Sequence, residues 1–134
     1  MRLAHEARRI AAQHGYLDAL ESTTLRALER GDAAEMVAAL RSFEGSLGAH
    51  FTLEEKVQFP ALHGLDARLD PELAELVRDH GRFLDQMQAM RAQVDAAGVA
   101  HRSQTLFAFG QLASALRQHE EREESILTRA HAEA

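Results

Sequence analysis

The chain has 134 residues, a formal net charge of −6 at pH 7, eight histidines and no cysteine. That length suits one compact domain, residues 1–134, with a sizeable core. The acidic balance argues against a nucleic-acid partner, which needs a basic face, and the missing cysteines exclude disulfides, thiolate ligands and Cys-held iron–sulfur clusters.

Ala, Leu, Glu, Arg and Gln dominate, and the only prolines are Pro60 and Pro71. This is an all-α composition. No apolar run is long enough to span a membrane. Met1-Arg2-Leu3-Ala4-His5 does not open a signal peptide, so a soluble, cytoplasmic protein is expected.

The first predicted helix covers about Arg2 to Arg30, with Leu3, Ala7, Ile10, Leu17, Leu20, Leu25 and Leu28 at helical spacing and His14 on the same seam. Gly31 is its expected stop, and Asp32 with Glu35 forms a capping-box-like start for the second helix. That helix has the seam Met36, Leu40, Phe43, Leu47, His50, Glu54, Val57 and is expected to end or kink near Pro60. Residues 63–70 read as a loop, with Asp70 as N-cap and Pro71 as first helical residue of the third helix. The third helix runs to about Ala97 on the seam Leu73, Leu76, His80, Phe83, Met87, Met90, Val94, and Gly98 stops it. The fourth covers about Arg102 to His131 on Leu112, Leu116, His119, Glu123, Ile126. Short connections favour antiparallel neighbours, hence an up-down-up-down four-helix bundle.

Two stretches carry the chemistry: His50-Phe51-Thr52-Leu53-Glu54 and His119-Glu120-Glu121-Arg122-Glu123. Both read His-x-x-x-Glu. Residues four apart stack on one helix face, so imidazole and carboxylate converge on one point. Each pair interrupts an apolar seam, where a Glu is unfavourable unless something pairs with it. A lone seam His precedes each pair by one helix, and each is followed by Gly, in His14-Gly15 and His80-Gly81. The repeated Gly suggests close backbone approach. In the bundle, four imidazoles and two carboxylates meet in one layer, with Ile10 and Leu76 opposite the Glu level. The count fits two metal ions, each with two His, and both Glu bridging. Room remains for a bridging oxide or hydroxide and a small exogenous ligand.

On these residues, together with Phe59-Pro60, the chain resembles the hemerythrin-like, or HHE cation-binding, family over essentially its whole length. The resemblance implies a non-haem di-iron centre with two iron ions, which zinc or manganese can replace. His14, His50, His80 and His119 would be terminal ligands, and Glu54 and Glu123 bridges. Two features differ from the oxygen-carrying hemerythrins. His80 has Leu76 and Leu84 one turn away rather than a second His, and the fourth-helix motif closes on Glu123 rather than on an Asp five residues after the His. Glu124, in that fifth place, lies about 100° off the seam. The six-ligand pattern is closer to the iron-sensing and iron–sulfur-repair members, without the latter's Cys-bearing segment.

The resemblance implies a protein that binds or senses O2, NO or iron, or has a redox role in stress response. The alternatives are a peroxide- or nitric-oxide-processing oxidoreductase using the same site and an oxygen-carrying hemerythrin. No separate catalytic residue, nucleotide motif or electron-donor site is legible. A ferritin-like site would need Glu-x-x-His on two helices. The order here is reversed, and Glu21, two turns from His14, is expected to rotate outward. His5, His63, His101 and His131 are expected in solvent, as are Tyr16 and the acidic face of Glu120, Glu121 and Glu124; Glu55 is a candidate hydrogen-bond acceptor behind a ligand.

Overall fold

The structure is a computed structural model that describes the backbone of residues 2–133 and the side chains of residues 8, 9 and 11–130. The expectations for the side chains of Leu3, His5, Ala7, Ile10 and His131 lie outside the described residues. The described chain is all-helical. Helix α1 is Arg2–Arg30 and α2 is Ala33–Leu53. A π-helical turn, Glu54–Gln58, joins α2 to α3, Phe59–Leu65. Then come a 3₁₀ turn at Ala67–Leu69, α4 at Asp70–Ala97, a second 3₁₀ turn at Gly98–His101, and α5 at Arg102–Glu133. Among the described residues no helix is long and apolar enough to cross a membrane.

The helix ends follow local chemistry. Gly31 and Gly98 take φ of 75° and 57°, which L side chains rarely adopt, so both helices stop there. Asp32 accepts a hydrogen bond from the Glu35 amide at 2.9 Å and caps α2. Arg102 then donates to the Glu29 carbonyl at 2.7 Å, tying the start of α5 to the end of α1.

Three expectations change around Pro60. The helix does not end there, because the π turn shifts the hydrogen-bond register: the Phe59 amide donates to Glu54, five residues back, and Pro60 falls in the first turn of α3, where a missing N–H is tolerated. Residues 63–65 are therefore helical rather than loop. Asp70 lies inside α4 and caps nothing with its side chain; it takes a hydrogen bond from His63 at 2.7 Å instead.

Helix α1 packs on α2 and α5, and α4 packs on the same two, closing a ring of contacts. The core is in two apolar clusters. One gathers Leu28, Met36, Leu40, Phe43, Leu47, Phe83, Met87 and Leu116; the other gathers Phe59, Leu62, Leu69, Leu73, Leu76 and Ile126. From α2 into α3, and along α4 and α5, the chain passes from one cluster to the other through the polar seam residues, so the two clusters bracket a polar layer. The close approach expected at Gly15 and Gly81 is absent: a Cβ at either would meet nothing within 4 Å.

Candidate metal centre

All six seam residues are buried: His14, His50, Glu54, His80, His119 and Glu123. Ligand atoms of His14, His50, Glu54 and Glu123 lie within 4.8 Å of one another, and so do those of Glu54, His80, His119 and Glu123. The two carboxylates belong to both groups. Glu54 lies 3.6 Å from His50 Nε2 and 3.0 Å from His80 Nε2; Glu123 lies 2.5 Å from His119 Nε2 and 3.8 Å from His14 Nε2. His14 and His50 meet Nε2 to Nε2 at 3.1 Å.

The outer nitrogens fix which face each ring presents. His50 Nδ1 donates to Gln13 Oε1 at 2.6 Å, His80 Nδ1 to Glu55 Oε2 at 2.7 Å, and His119 Nδ1 to Asp79 Oδ2 at 3.0 Å. A neutral imidazole has one N–H, so each inward Nε2 is then a bare lone pair. Aromatic rings hold the imidazoles in place. Phe51 stacks on His80 at 3.8 Å and 8°, Phe59 lies at 5.8 Å from the same ring, and Phe83 meets His119 edge-on at 5.5 Å.

Electrostatics sharpen the picture. Burial pulls His14 and His80 below the ordinary imidazole value, and burial with the nearby His14 pulls His50 down to about 4, so these rings are neutral at pH 7. Burial, then the facing Glu123, pushes Glu54 well above the carboxylate range. Burial acts on Glu123 too, but a hydrogen bond from Glu54 and the imidazoles of His119 and His14 outweigh it and hold Glu123 at about 2. Two carboxylates are two acceptors; one proton between them, carried by Glu54, lets them share a bond.

Apart from such a proton and the one that His14 and His50 share, the atoms facing the centre are acceptors. Both Glu54 oxygens, Glu123 Oε1, His80 Nε2 and His119 Nε2 are buried with no hydrogen-bond partner. Buried polar atoms are normally paired, and each orphan costs about 1–3 kcal/mol. Lone pairs converging from three helices and the π turn fit a cation, and a set of N and O donors suits first-row divalent and trivalent ions.

The sequence pattern missed several members. Asp79, buried beside His80, accepts from His119 and is also held by Arg82 and Arg122. Gln13, beside His14, plays the corresponding part for His50. A polar acceptor just before each lone His was the available signal. Glu55 does accept from a ligand-position His, as expected of it. Gln58 is buried on the π turn with both amide atoms unpartnered. Glu21 does not rotate outward: it is buried, and Arg117 donates to it at 2.7 Å. Glu120 is half-buried rather than outer-face, and burial, with Asp18 and Glu123 nearby, pushes it up to about 8. His63, His101 and Tyr16 are exposed, as expected. A cavity of about 140 Å³ between α1 and α2 reaches His50 past Gln13 and Tyr16.

A helical fold with paired His and Glu on an unpartnered, buried centre defines a cation-binding domain. The chain matches the hemerythrin HHE cation binding domain model over residues 5–130, and it belongs to that family. No curated protein and no solved structure matches it at a significant level.

Proposed function

We propose that the chain is a single-domain, up-down-up-down four-helix bundle that binds two iron ions. In this reading α2 and α3 are one helix with a π turn inside it, which the closed ring of helix contacts supports. His14 and His50 would hold one ion and His80 and His119 the other, with Glu54 and Glu123 available to both. The observation carrying the proposal is the unpartnered centre: two four-residue clusters that share their carboxylates, with buried Glu54, Glu123, His80 and His119 atoms that no described donor meets.

Bound iron supplies open coordination positions and one-electron redox chemistry. The protein does the rest. Gln13, Glu55 and Asp79 orient the imidazoles and keep Nε2 inward. Phe51, Phe59 and Phe83 wall the centre, so it admits a small neutral ligand such as O2 or NO and disfavours ions. The cavity beside His50 has ample room for such a molecule. The role is a cytoplasmic sensor or redox protein for such a ligand rather than a durable oxygen carrier, since with two His per ion neither position is shielded from oxidation.

Elemental analysis after iron-replete expression should give about two irons per chain. The reduced protein should bind nitric oxide, and in air it should acquire ferric absorption in the visible. One bound ion or none counts against the dinuclear centre. Oxygen release on lowering the pressure, over repeated cycles without reductant, would restore the carrier role.

A further inference from the structure

The two halves of the centre share their carboxylates, so whatever distinguishes them lies behind the imidazoles. On one side both rings are backed by carboxylates: His80 Nδ1 donates to Glu55 at 2.7 Å and His119 Nδ1 to Asp79 at 3.0 Å. On the other side His50 Nδ1 donates to the neutral amide of Gln13 at 2.6 Å. Among the described residues no carboxylate is hydrogen-bonded to Nδ1 of His14 or His50; Glu124 and Asp18 act on His14 only through space. Gln13 and Asp79 occupy equivalent places, each preceding a lone seam His and each reaching the His of the adjacent His-x-x-x-Glu helix. The fold thus repeats the contact and changes its chemistry.

A carboxylate acceptor makes its imidazole a stronger donor to a cation than an amide does. Asp79 is buried and cannot turn away, because Arg82 and Arg122 hold it from α4 and α5. Those two arginines touch it directly and offset part of its charge. Their side chains are 68% and 50% exposed, so water screens them, while the bond to His119 is inside. Glu55 is 39% exposed and contributes less.

We infer that the two metal positions are unequal and fill in order, the His80/His119 position first and the His14/His50 position second. The inference rests on reading the six side chains as a two-ion centre. Loss of one partner behind a ligand typically changes metal affinity about 10–100-fold, so the first binding constant should exceed the second by about tenfold or more.

The test is titration of the metal-free chain with zinc(II), which these ligands also suit, followed by calorimetry and by NMR of 15N-labelled histidine. At one equivalent the His80 and His119 signals should shift while those of His14 and His50 stay. Asp79→Asn should weaken the first step about tenfold and bring the two constants together. Gln13→Glu should tighten the second step; its position is half-buried at the rim, so it remains informative if Asp79→Asn, which strands two arginines, fails to fold. Two ions bound in indistinguishable steps, or His14 and His50 filling first, would overturn the inference and leave the two-ion centre standing. Saturation below two ions would overturn both.

Discussion

Removing Glu54 should make the metal-free protein more stable, and this sign is the sharpest consequence of an unpartnered centre. Glu54 is 0% exposed; in the metal-free chain its proton can bond Glu123, and its other oxygen has no donor. An unpaired buried acceptor costs about 1–3 kcal/mol, whereas Leu fills a similar volume with a misfit usually below about 1.5 kcal/mol. Leu also removes the bond to Glu123, which offsets part of the gain, so Glu54→Leu should stabilise the metal-free chain by about 1 kcal/mol at neutral pH, a melting shift of roughly 4 °C for a domain of this size. The gain has a definite pH dependence. Below pH 4.5 Glu54 is protonated whether the chain is folded or not. Above it the unfolded chain gives up the proton and the folded chain, with its raised value, keeps it; native stability therefore falls as pH rises until the folded value is passed. The advantage of Leu should widen from pH 4.5 upward. His50 works in the opposite sense: from about pH 4 to 6.5 the unfolded chain takes a proton that the folded ring refuses, so stability rises with pH there. Both proteins share that contribution, and their difference removes it. Urea unfolding of chelator-treated native protein and variant, from pH 4.5 to 8.5, measures the effect. With metal present the order should reverse, since native protein alone gains from binding, by about 2.7 kcal/mol at a hundredfold excess over Kd. A metal-free variant less stable than native at pH 8 would refute the reasoning, because it would mean that the proton shared with Glu123 outweighs the acceptors left unpaired.

His50→Ala should lower metal content sharply, while His101→Ala, at an exposed site on the far turn, should leave it unchanged; elemental analysis of both decides. Gly15→Ala and Gly81→Ala should each stabilise the fold by about 0.5–1 kcal/mol, since both lie inside helices with empty space where a Cβ would go. Urea midpoints that fall would show that those glycines meet something.

Much of the scaffold was legible because its signals are local. Gly31, Asp32 and Gly98 punctuate the helices through their own backbone preferences, and no packing intervenes. The convergence of His14, His50, Glu54, His80, His119 and Glu123 was legible because a four-residue spacing and an apolar seam fix which face of a helix turns inward. What surrounds them was not. Asp79 lies about 100° from His80 around α4, off that helix's own seam, and has a role only because α5 brings His119 and Arg122 to it. Gln13 depends in the same way on α2. Glu21 breaks the solvent-facing expectation for the same reason, since Arg117 arrives from another helix. The repeat of lone His followed by Gly drew attention to the wrong neighbour: the residue with the contact precedes each His.

The π turn is the other feature that periodicity conceals, and it has a checkable purpose. Glu54 and Glu55 are consecutive, yet they reach the two nitrogens of one ring: Glu54 lies 3.0 Å from His80 Nε2 and Glu55 2.7 Å from His80 Nδ1. In an ordinary α-helix consecutive side chains diverge by about 100°; the wider turn narrows that angle. It also relieves Pro60, whose ring would otherwise press on the carbonyl four residues back. A π turn is one residue more than an α-helix requires, so deleting exposed Lys56 should restore regular helix while keeping His50 and Glu54 before it, and Phe59 after it, in register. Glu55 should then lose His80, weakening metal binding about tenfold. Pro60 should again meet a carbonyl, destabilising the fold by up to about 3 kcal/mol. Pro60→Ala should recover most of that loss in the deletion background and change little in the native one. Four proteins compared by urea unfolding and zinc titration form the cycle. Equal effects of Pro60→Ala in both backgrounds would show that the π turn does not accommodate the proline, and undiminished metal affinity in the deletion would show that it does not position Glu55.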